Sequence, residues 1–301
     1  MELTVPRPLY SHEDLSVNWV FEGDFPGFLE ARYVRRYDDR FIVYLSSQTG
    51  CRQACRFCHL TQSGQTDFID AGVQDYLSQA KAVLEYYDTQ PKAEKVHFNF
   101  MARGDVFANP LFRAGAAEVL GSLAEAAIER DLYPEWKLST IMPKEIEGVD
   151  LARMLMPYSP DIYYSIYSTD ESFRRRWLPK ALPVSQALKQ LKDYQHHSRK
   201  IVCLHWAMIE NENDDEKTVE GIIEAVKQAD LRVDINFVRY NPFSPLQGKE
   251  PEEQVIEERA EQLRQCLPDA RVKIIPRVGF DVKASCGMFV GGRSPKELPM
   301  L

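Results

Sequence analysis

The chain has 301 residues and a formal net charge of −8, with 44% hydrophobic and 27% charged residues. This composition is typical of a globular protein and excludes a largely disordered chain. The sequence has no apolar run long enough to span a bilayer and no signal-peptide pattern at its start, which favours a cytoplasmic protein. The acidic balance argues against a protein whose affinity comes mainly from neutralising phosphate groups.

Six runs rich in β-branched and aromatic residues predict strands. They span residues 41–47, 96–101, 136–141, 161–168, 201–209 and 233–240. Segments with helical periodicity alternate with these runs or follow the last of them. They span residues 71–87, 111–130, 183–196, 216–229 and 252–267. This alternation predicts an α/β fold in which helices cover a parallel sheet, and six such units predict a partial (βα)6 barrel.

Three parts are predicted along the chain. Residues 1–40 are interpreted as a short N-terminal β extension, because the first strong strand of the barrel begins at Phe41. Residues 41–250 form the partial barrel. Residues 251–301 are expected to hold a helix, a last strand and a tail that carries Cys286.

Three of the six cysteines lie within the eight residues Cys51-Arg-Gln-Ala-Cys-Arg-Phe-Cys58. This spacing brings the thiolates of Cys51, Cys55 and Cys58 around one point, and thiolate ligands select zinc or an iron–sulfur cluster. A structural zinc site needs four ligands, and His59 is the candidate for the fourth. A cubane held by three cysteines instead leaves one iron open to a small molecule that chelates through an amine and a carboxylate.

Other candidate side chains lie where predicted strands end, as the cysteine segment does. Asp105 follows the second strand, Ser165 lies near the end of the fourth, and Asn241 follows the sixth. Loops at the carboxyl ends of the strands carry function in this architecture. These side chains are therefore predicted to share one rim of the barrel.

The cysteine spacing, with Phe57 directly before the last cysteine, resembles the radical SAM superfamily. Further similarity lies in the segments Leu45-Ser-Ser-Gln-Thr-Gly-Cys51, Tyr240-Asn-Pro-Phe243 and Gly279-Phe-Asp-Val-Lys-Ala-Ser-Cys-Gly287. Together these segments resemble the radical SAM rRNA adenine C2/C8 methyltransferases, the RlmN and Cfr class. The resemblance covers most of the chain from Glu30 onward.

The resemblance implies a [4Fe–4S] cluster on Cys51, Cys55 and Cys58, and S-adenosylmethionine that is cleaved to a 5′-deoxyadenosyl radical. Cys286 matches the family's methyl carrier, which takes a methyl group from one S-adenosylmethionine. The radical from a second molecule abstracts hydrogen from that methylthio group, and the resulting carbon radical adds to adenine. A flavodoxin- or ferredoxin-type electron donor is implied as well.

Three further positions carry over as cofactor-binding residues. Asp105 matches the loop whose acid and backbone hold the methionine ammonium group, although the stretch here is Arg-Gly-Asp-Val without the family's proline. Ser165 matches a serine that bonds the ribose or the carboxylate. Asn241 matches the asparagine of the family's Trp-Asn-Pro-Phe stretch.

The sequence also departs from the family. Tyr44 stands where the family has a second cysteine that resolves the covalent protein–RNA adduct, and a phenol does not exchange with thiols. Glu30 aligns with the family's acid only if one residue is inserted. Cys203 and Cys266 are expected to be small buried side chains. No counterpart of the family's N-terminal accessory domain is expected in the residues before Phe41.

Three functional hypotheses remain open. The first is a radical SAM enzyme that modifies a nucleobase or nucleotide-like substrate, with methyl transfer through Cys286. The second keeps the radical chemistry without methyl transfer, as isomerisation or C–H functionalisation of a modified base, for instance in DNA, or of an amino-acid substituent. The third is a non-catalytic zinc-binding module that contacts a partner through basic residues of the rim.

Overall fold

The computed structural model describes residues 1–291, and residues 292–301 of the predicted tail lie outside the described part. Within residues 1–291 there are ten strands, all in one sheet whose spatial order follows the chain from β1 to β10. The strands are β1 (Arg7–Tyr10), β2 (Val17–Phe21), β3 (Leu29–Val34), β4 (Arg40–Tyr44), β5 (Lys95–Phe100), β6 (Tyr133–Thr140), β7 (Asp161–Tyr164), β8 (Val202–Ala207), β9 (Val233–Val238) and β10 (Val272–Ile274).

The sheet changes direction at β4. Strands β1 to β4 pair in antiparallel fashion, whereas every pair from β4–β5 to β9–β10 is parallel. Parallel neighbours need crossover connections, and the described helices supply them. The predicted α/β partial barrel and its N-terminal β extension are confirmed. The three-part division of the chain stays a prediction, since one sheet runs through all three parts.

The described part of the chain has eight α-helices. They are α1 (His59–Gln62), α2 (Val73–Tyr87), α3 (Pro110–Ile128), α4 (Leu151–Leu155), α5 (Glu171–Trp177), α6 (Val184–Ser198), α7 (Glu216–Gln228) and α8 (Glu253–Cys266). The five long helices match the predicted segments within one or two residues at each end. The short α1, α4 and α5 lack enough turns for a clear period in the sequence. No helix within residues 1–291 is long and apolar enough to cross a membrane.

The N-terminal extension is covered on both faces. Every residue of β2 and β3 is buried, whereas β4 alternates between buried and partly exposed positions. Helix α2 packs against β2 and β3, and hydrogen bonds join residues 282–290 to the side chains of Asn18, Glu30 and Arg32. The extension is therefore a platform for the segment that carries Cys286.

Candidate active site

A cavity of about 800 Å³ lies inside the barrel. The cysteine segment, the loop after β5, the ends of β6 and β7, the loop after β9 and the segment after β10 all contribute to its lining. It is lined by all of the residues predicted for the site, namely Cys51, Cys55, Cys58, Asp105, Ser165, Asn241 and Cys286. The structure therefore brings the predicted rim residues to one cavity.

The three cysteines are close neighbours at this cavity. Cys51 and Cys55 are buried, and Cys58 is half-buried directly before α1. Burial raises the pKa of the Cys51 thiol to about 12, and the charge of Cys58 adds to this effect. Burial also raises the pKa of Cys55, with contributions from Cys51 and Cys58. Three buried thiolates repel one another unless they bind a positively charged metal centre. The donor set therefore fits a thiolate-ligated cluster.

His59 is turned away from the three thiols. Its Nε2 atom lies 2.9 Å from the carbonyl oxygen of Asn241, and its ring is edge-on to Phe243. Since a carbonyl oxygen only accepts, Nε2 carries the hydrogen. The imidazole lines a second cavity that none of the three cysteines lines. Within residues 1–291, no three His, Cys, Asp or Glu side chains are grouped so as to hold a single metal ion.

Asp105 lies in the loop after β5 and lines the same cavity as the three cysteines. Its Oδ1 accepts the backbone N–H of Phe107 and its Oδ2 that of Ile141, each at 2.9 Å. These bonds fix the carboxylate while each oxygen retains a further lone pair. Burial raises the pKa of Asp105 to about 6, against the lowering effect of the two backbone donors.

Ser165 belongs to a small polar group in the wall of the cavity. Its hydroxyl lies 2.8 Å from Nε2 of His205, and the hydroxyl of Ser139 lies 2.9 Å from the same nitrogen. Burial lowers the pKa of His205 to about 4, so the imidazole is neutral near pH 7. His205 belongs to β8, and the sequence gave no reason to connect it with a serine of β6 and a serine directly after β7.

Cys286 is accessible, and it lines the central cavity. Desolvation by the surrounding protein raises the pKa of the Cys286 thiol to about 11, and the positive charge of Arg32 partly offsets this rise. Asn241 holds the segment, because its Nδ2 donates to the Cys286 carbonyl at 2.9 Å and to the Ser285 hydroxyl at 3.1 Å. Its Oδ1 accepts from Arg277 Nε at 2.8 Å. Asn241 thus positions Cys286, a contact that its turn-like sequence context did not predict.

The Cys286 segment also contacts the cysteine segment directly. The backbone N–H of His59 donates to the carbonyl of Gly287 at 3.1 Å. Gly287 has φ of 74°, a left-handed conformation that glycine adopts without strain. Next to it, Phe57 stacks on Tyr167 with ring centroids 4.3 Å apart. The candidate methyl carrier and the candidate cluster ligands are therefore held in one hydrogen-bonded unit.

Two buried arginines near this unit were missed by the sequence analysis. Arg32 and Arg103 both pair with Glu30, at 3.1 and 3.2 Å, and all three side chains are at most 2% exposed. No local motif marks them, because Glu30 and Arg103 are 73 positions apart in the chain. A charged residue on a strand that is otherwise apolar is the signal that could have drawn attention to them.

The remaining cysteines behave differently from each other. Cys203 is buried in β8 and lines the cavity, as a small interior side chain does. Cys266 was expected to be buried as well, but it is exposed because it is the last residue of α8. Tyr44, at the end of β4, lines the same cavity as Cys286. Arg174, the first of three consecutive arginines, is buried and donates to the carbonyls of Ile166 and Leu182.

Known RNA methyltransferases are similar to this chain in sequence. The chain is 23% identical over 253 residues to the probable dual-specificity RNA methyltransferase RlmN of Koribacter versatilis, covering 83% of this chain and 68% of that protein. It is 24% identical over 256 residues to the RlmN of Nitratiruptor sp., covering 82% and 67% of the two chains. No protein-family model matches the chain.

Solved structures share the fold. A radical SAM methyltransferase from Sphaerobacter thermophilus superposes with a TM-score of 0.79 at 20% identity, covering 95% of this chain and 80% of that one. Methylornithine synthase (PylB) superposes with a TM-score of 0.50 at 11% identity, covering 76% and 63%.

The chain therefore shares its fold with a solved radical SAM methyltransferase. The predicted resemblance to the RlmN/Cfr-like class is confirmed by the similar sequences.

Replacing Asn241 tests its part in holding Cys286. In Asn241→Ala, amide hydrogen exchange of residues 284–288 is expected to rise roughly tenfold or more, since lost buried hydrogen bonds cost about 1–3 kcal/mol. The measurement is exchange followed by mass spectrometry, with α7 as the internal control because Asn241 makes no hydrogen bond to it. Unchanged exchange in residues 284–288 would show that other contacts suffice.

Proposed function

We propose that the chain is a radical SAM enzyme that modifies a nucleic-acid or nucleotide-like substrate, with Cys286 as a methyl carrier. The observation that carries this proposal is the presence of the Cys286 thiol in the cavity of the three-cysteine loop, held from both sides by Asn241 and Arg32. The relatives named as RNA methyltransferases support the substrate class.

Each predicted residue has a specific task in this proposal. Cys51, Cys55 and Cys58 hold the cluster, which when bound supplies the electron that cleaves S-adenosylmethionine to a 5′-deoxyadenosyl radical. Asp105, fixed by two backbone donors, accepts the ammonium group of the methionine moiety. Ser165 offers its hydroxyl to the ribose or the carboxylate, and neutral His205 orients it.

Cys286 takes the methyl group in a nucleophilic displacement. Its sulfur forms a bond to the methyl carbon of one S-adenosylmethionine while the bond from that carbon to the sulfonium sulfur breaks. The thiol proton is lost, and S-adenosylhomocysteine leaves. An electron donor of the flavodoxin or ferredoxin type would provide the reducing equivalents for the second cofactor molecule.

Release of the substrate must differ from the family's pattern. Tyr44 offers no thiol, and Cys203 lies four residues before the end of β8. At about 3.3 Å per residue, this places Cys203 roughly 13 Å below the end of the strand. A disulfide needs Cα atoms within about 7 Å, whereas Cys286 is bonded to Asn241 beyond the end of β9. Cys266 is exposed at the end of α8 and does not line the cavity, so an external thiol is the resolving agent in this proposal.

The same observation favours a second candidate function. A cavity with one accessible thiol and a tyrosine at the resolving position also suits radical isomerisation or C–H functionalisation of a base or of an amino-acid substituent, without methyl transfer. In that reaction no protein–substrate adduct forms, so no second thiol is needed.

Removing one cluster ligand tests the metal assignment. Cys55→Ala, purified without oxygen, is expected to lose nearly all its iron and the visible absorption of the cluster, since two thiolates do not retain a cubane. Cys266→Ala is the matched control, because its thiol is exposed on α8. Iron and acid-labile sulfide are measured in both. A colourless wild-type protein with tightly bound zinc would instead favour the metal-module hypothesis.

The methyl-carrier role is tested by mass spectrometry of anaerobically purified protein. We expect one added methyl group on Cys286, and label from methyl-labelled S-adenosylmethionine in the product. Cys286→Ala is expected to retain reductive cofactor cleavage but to lose label transfer, whereas Cys203→Ala retains both. An unmodified Cys286, with label found only in released methionine, would contradict methyl transfer and favour the second candidate.

The raised pKa of Asp105 predicts a pH dependence of cofactor binding. The ammonium group requires the ionised carboxylate, so affinity for S-adenosylmethionine should fall as pH drops below about 6, by about tenfold per pH unit. Calorimetric titration of the cluster-loaded protein between pH 5 and 8 measures this. Asp105→Asn should bind weakly without this inflection, and Asp150→Asn, in an exposed helix cap, should behave like wild type. An inflection retained in Asp105→Asn would assign it to another group.

A further inference from the structure

Four buried polar side chains meet beneath the Cys286 segment. The carboxylate of Glu30 accepts four hydrogen bonds. The donors are Nδ2 of Asn18 at 2.9 Å, a guanidinium nitrogen of Arg32 at 3.1 Å, one of Arg103 at 3.2 Å, and the backbone N–H of Val290 at 3.1 Å. Asn18, Glu30, Arg32 and Arg103 are each at most 2% exposed. We call these four residues the arginine cluster.

The arginine cluster is not electrically neutral. Its two guanidinium groups face one carboxylate, which leaves one net positive charge. Among residues 1–291, the Nε atoms of both arginines are buried without a hydrogen-bond partner. A buried unpaired charge costs several kcal/mol unless something nearby compensates it. The pairs described so far do not supply that compensation.

The excess charge lies beside the cysteine loop. The guanidinium carbons of Arg32 and Arg103 are 5.1 and 5.8 Å from the ring centre of Phe289. On the cysteine side, Phe289 packs in one apolar group with Cys51, and Cys58 packs against that group. One aromatic ring therefore separates the two cations from the candidate cluster ligands.

A cubane on three thiolates would complete this arrangement. Such a cluster is anionic, and its reduction adds a further negative charge. Positive charge nearby in a medium of low dielectric stabilises the reduced form more than the oxidised form. The two requirements are complementary, since two buried cations share the single carboxylate of Glu30 and the cluster needs a cation.

We propose that the arginine cluster supplies the counter-charge of the iron–sulfur centre and raises its reduction potential. Arg32 and Arg103 thereby act through the centre, by favouring uptake of the electron that starts the reaction. This inference rests on the proposed function. Through the bonds of Arg32 to the carbonyls of Ala284 and Met288, the same residues couple the charge of the cluster to the position of Cys286.

The alternative is a purely structural role, in which the ion pairs only hold residues 284–290 in place. Any substitution that breaks the pairs would then disturb the site in the same way, whichever charge is removed. The charge role instead predicts effects of opposite sign from the two partners of one pair. This difference is the basis of the test.

The test is an EPR-monitored redox titration of cluster-loaded variants prepared without oxygen. Arg103→Gln and Arg32→Gln remove positive charge, so their midpoint potentials should be more negative than that of wild type. Glu30→Gln breaks the same pairs but removes negative charge, so its potential should be more positive. Arg35→Gln is the matched control, because Arg35 bonds carbonyls of residues 37, 38, 91 and 92, and neither Glu30 nor residues 282–290.

Shifts of the same sign in the arginine and glutamate variants, or no shifts, would overturn the proposal. Arg103→Lys covers the case in which a neutral variant fails to fold, because it keeps the charge while losing the forked geometry. The midpoint potential of Arg103→Lys should stay near that of wild type. A shift as large as that measured for Arg103→Gln or Arg32→Gln would contradict the proposal. A wild-type protein without a cubane EPR signal would contradict the proposed function itself.

Discussion

The carboxylate of Glu30 is the contact on which the site depends. It is fully buried and ties together β2, β3, the loop after β5 and the segment after β10, through Asn18, Arg32, Arg103 and Val290. Removing one partner of a buried ion pair typically costs about 3–5 kcal/mol, because the other charge stays buried. Four distant parts of the chain are therefore held in one arrangement by a single side chain.

The contacts around Glu30 connect the N-terminal extension to the segment of Cys286. In a partial barrel, the strand at the open edge has no neighbour to close the ring. Here β1 to β3 continue the sheet beyond β4, and their polar side chains grip the segment of Cys286. The opposite grip comes from Asn241 after β9. The segment of the candidate methyl carrier is thus held between the N-terminal extension and the loop after β9.

The cavity has a polar character that differs from one end to the other. Near the cysteine loop, the groups are thiols, Asp105 and hydroxyls that neutral His205 orients. Toward the amino ends of the strands, side chains of opposite charge pair with one another, as Lys95 and Glu135 do at 3.8 Å. The side chains assigned to the proposed reaction therefore lie at one end of the barrel.

The sequence by itself determined the parallel strands, the five long helices and the local motifs. Strand–helix alternation predicted the parallel sheet, and the cysteine ligands of the candidate site were recognisable because they lie within eight residues. Asp105 and Asn241 could be placed because strand ends in such a sheet meet at one edge. Only the tertiary structure showed that Asn241 holds Cys286 and that Glu30 joins two buried arginines. Those contacts link residues 45 and 73 positions apart, and such partners are chosen by how the sheet curves and closes, which no local pattern encodes.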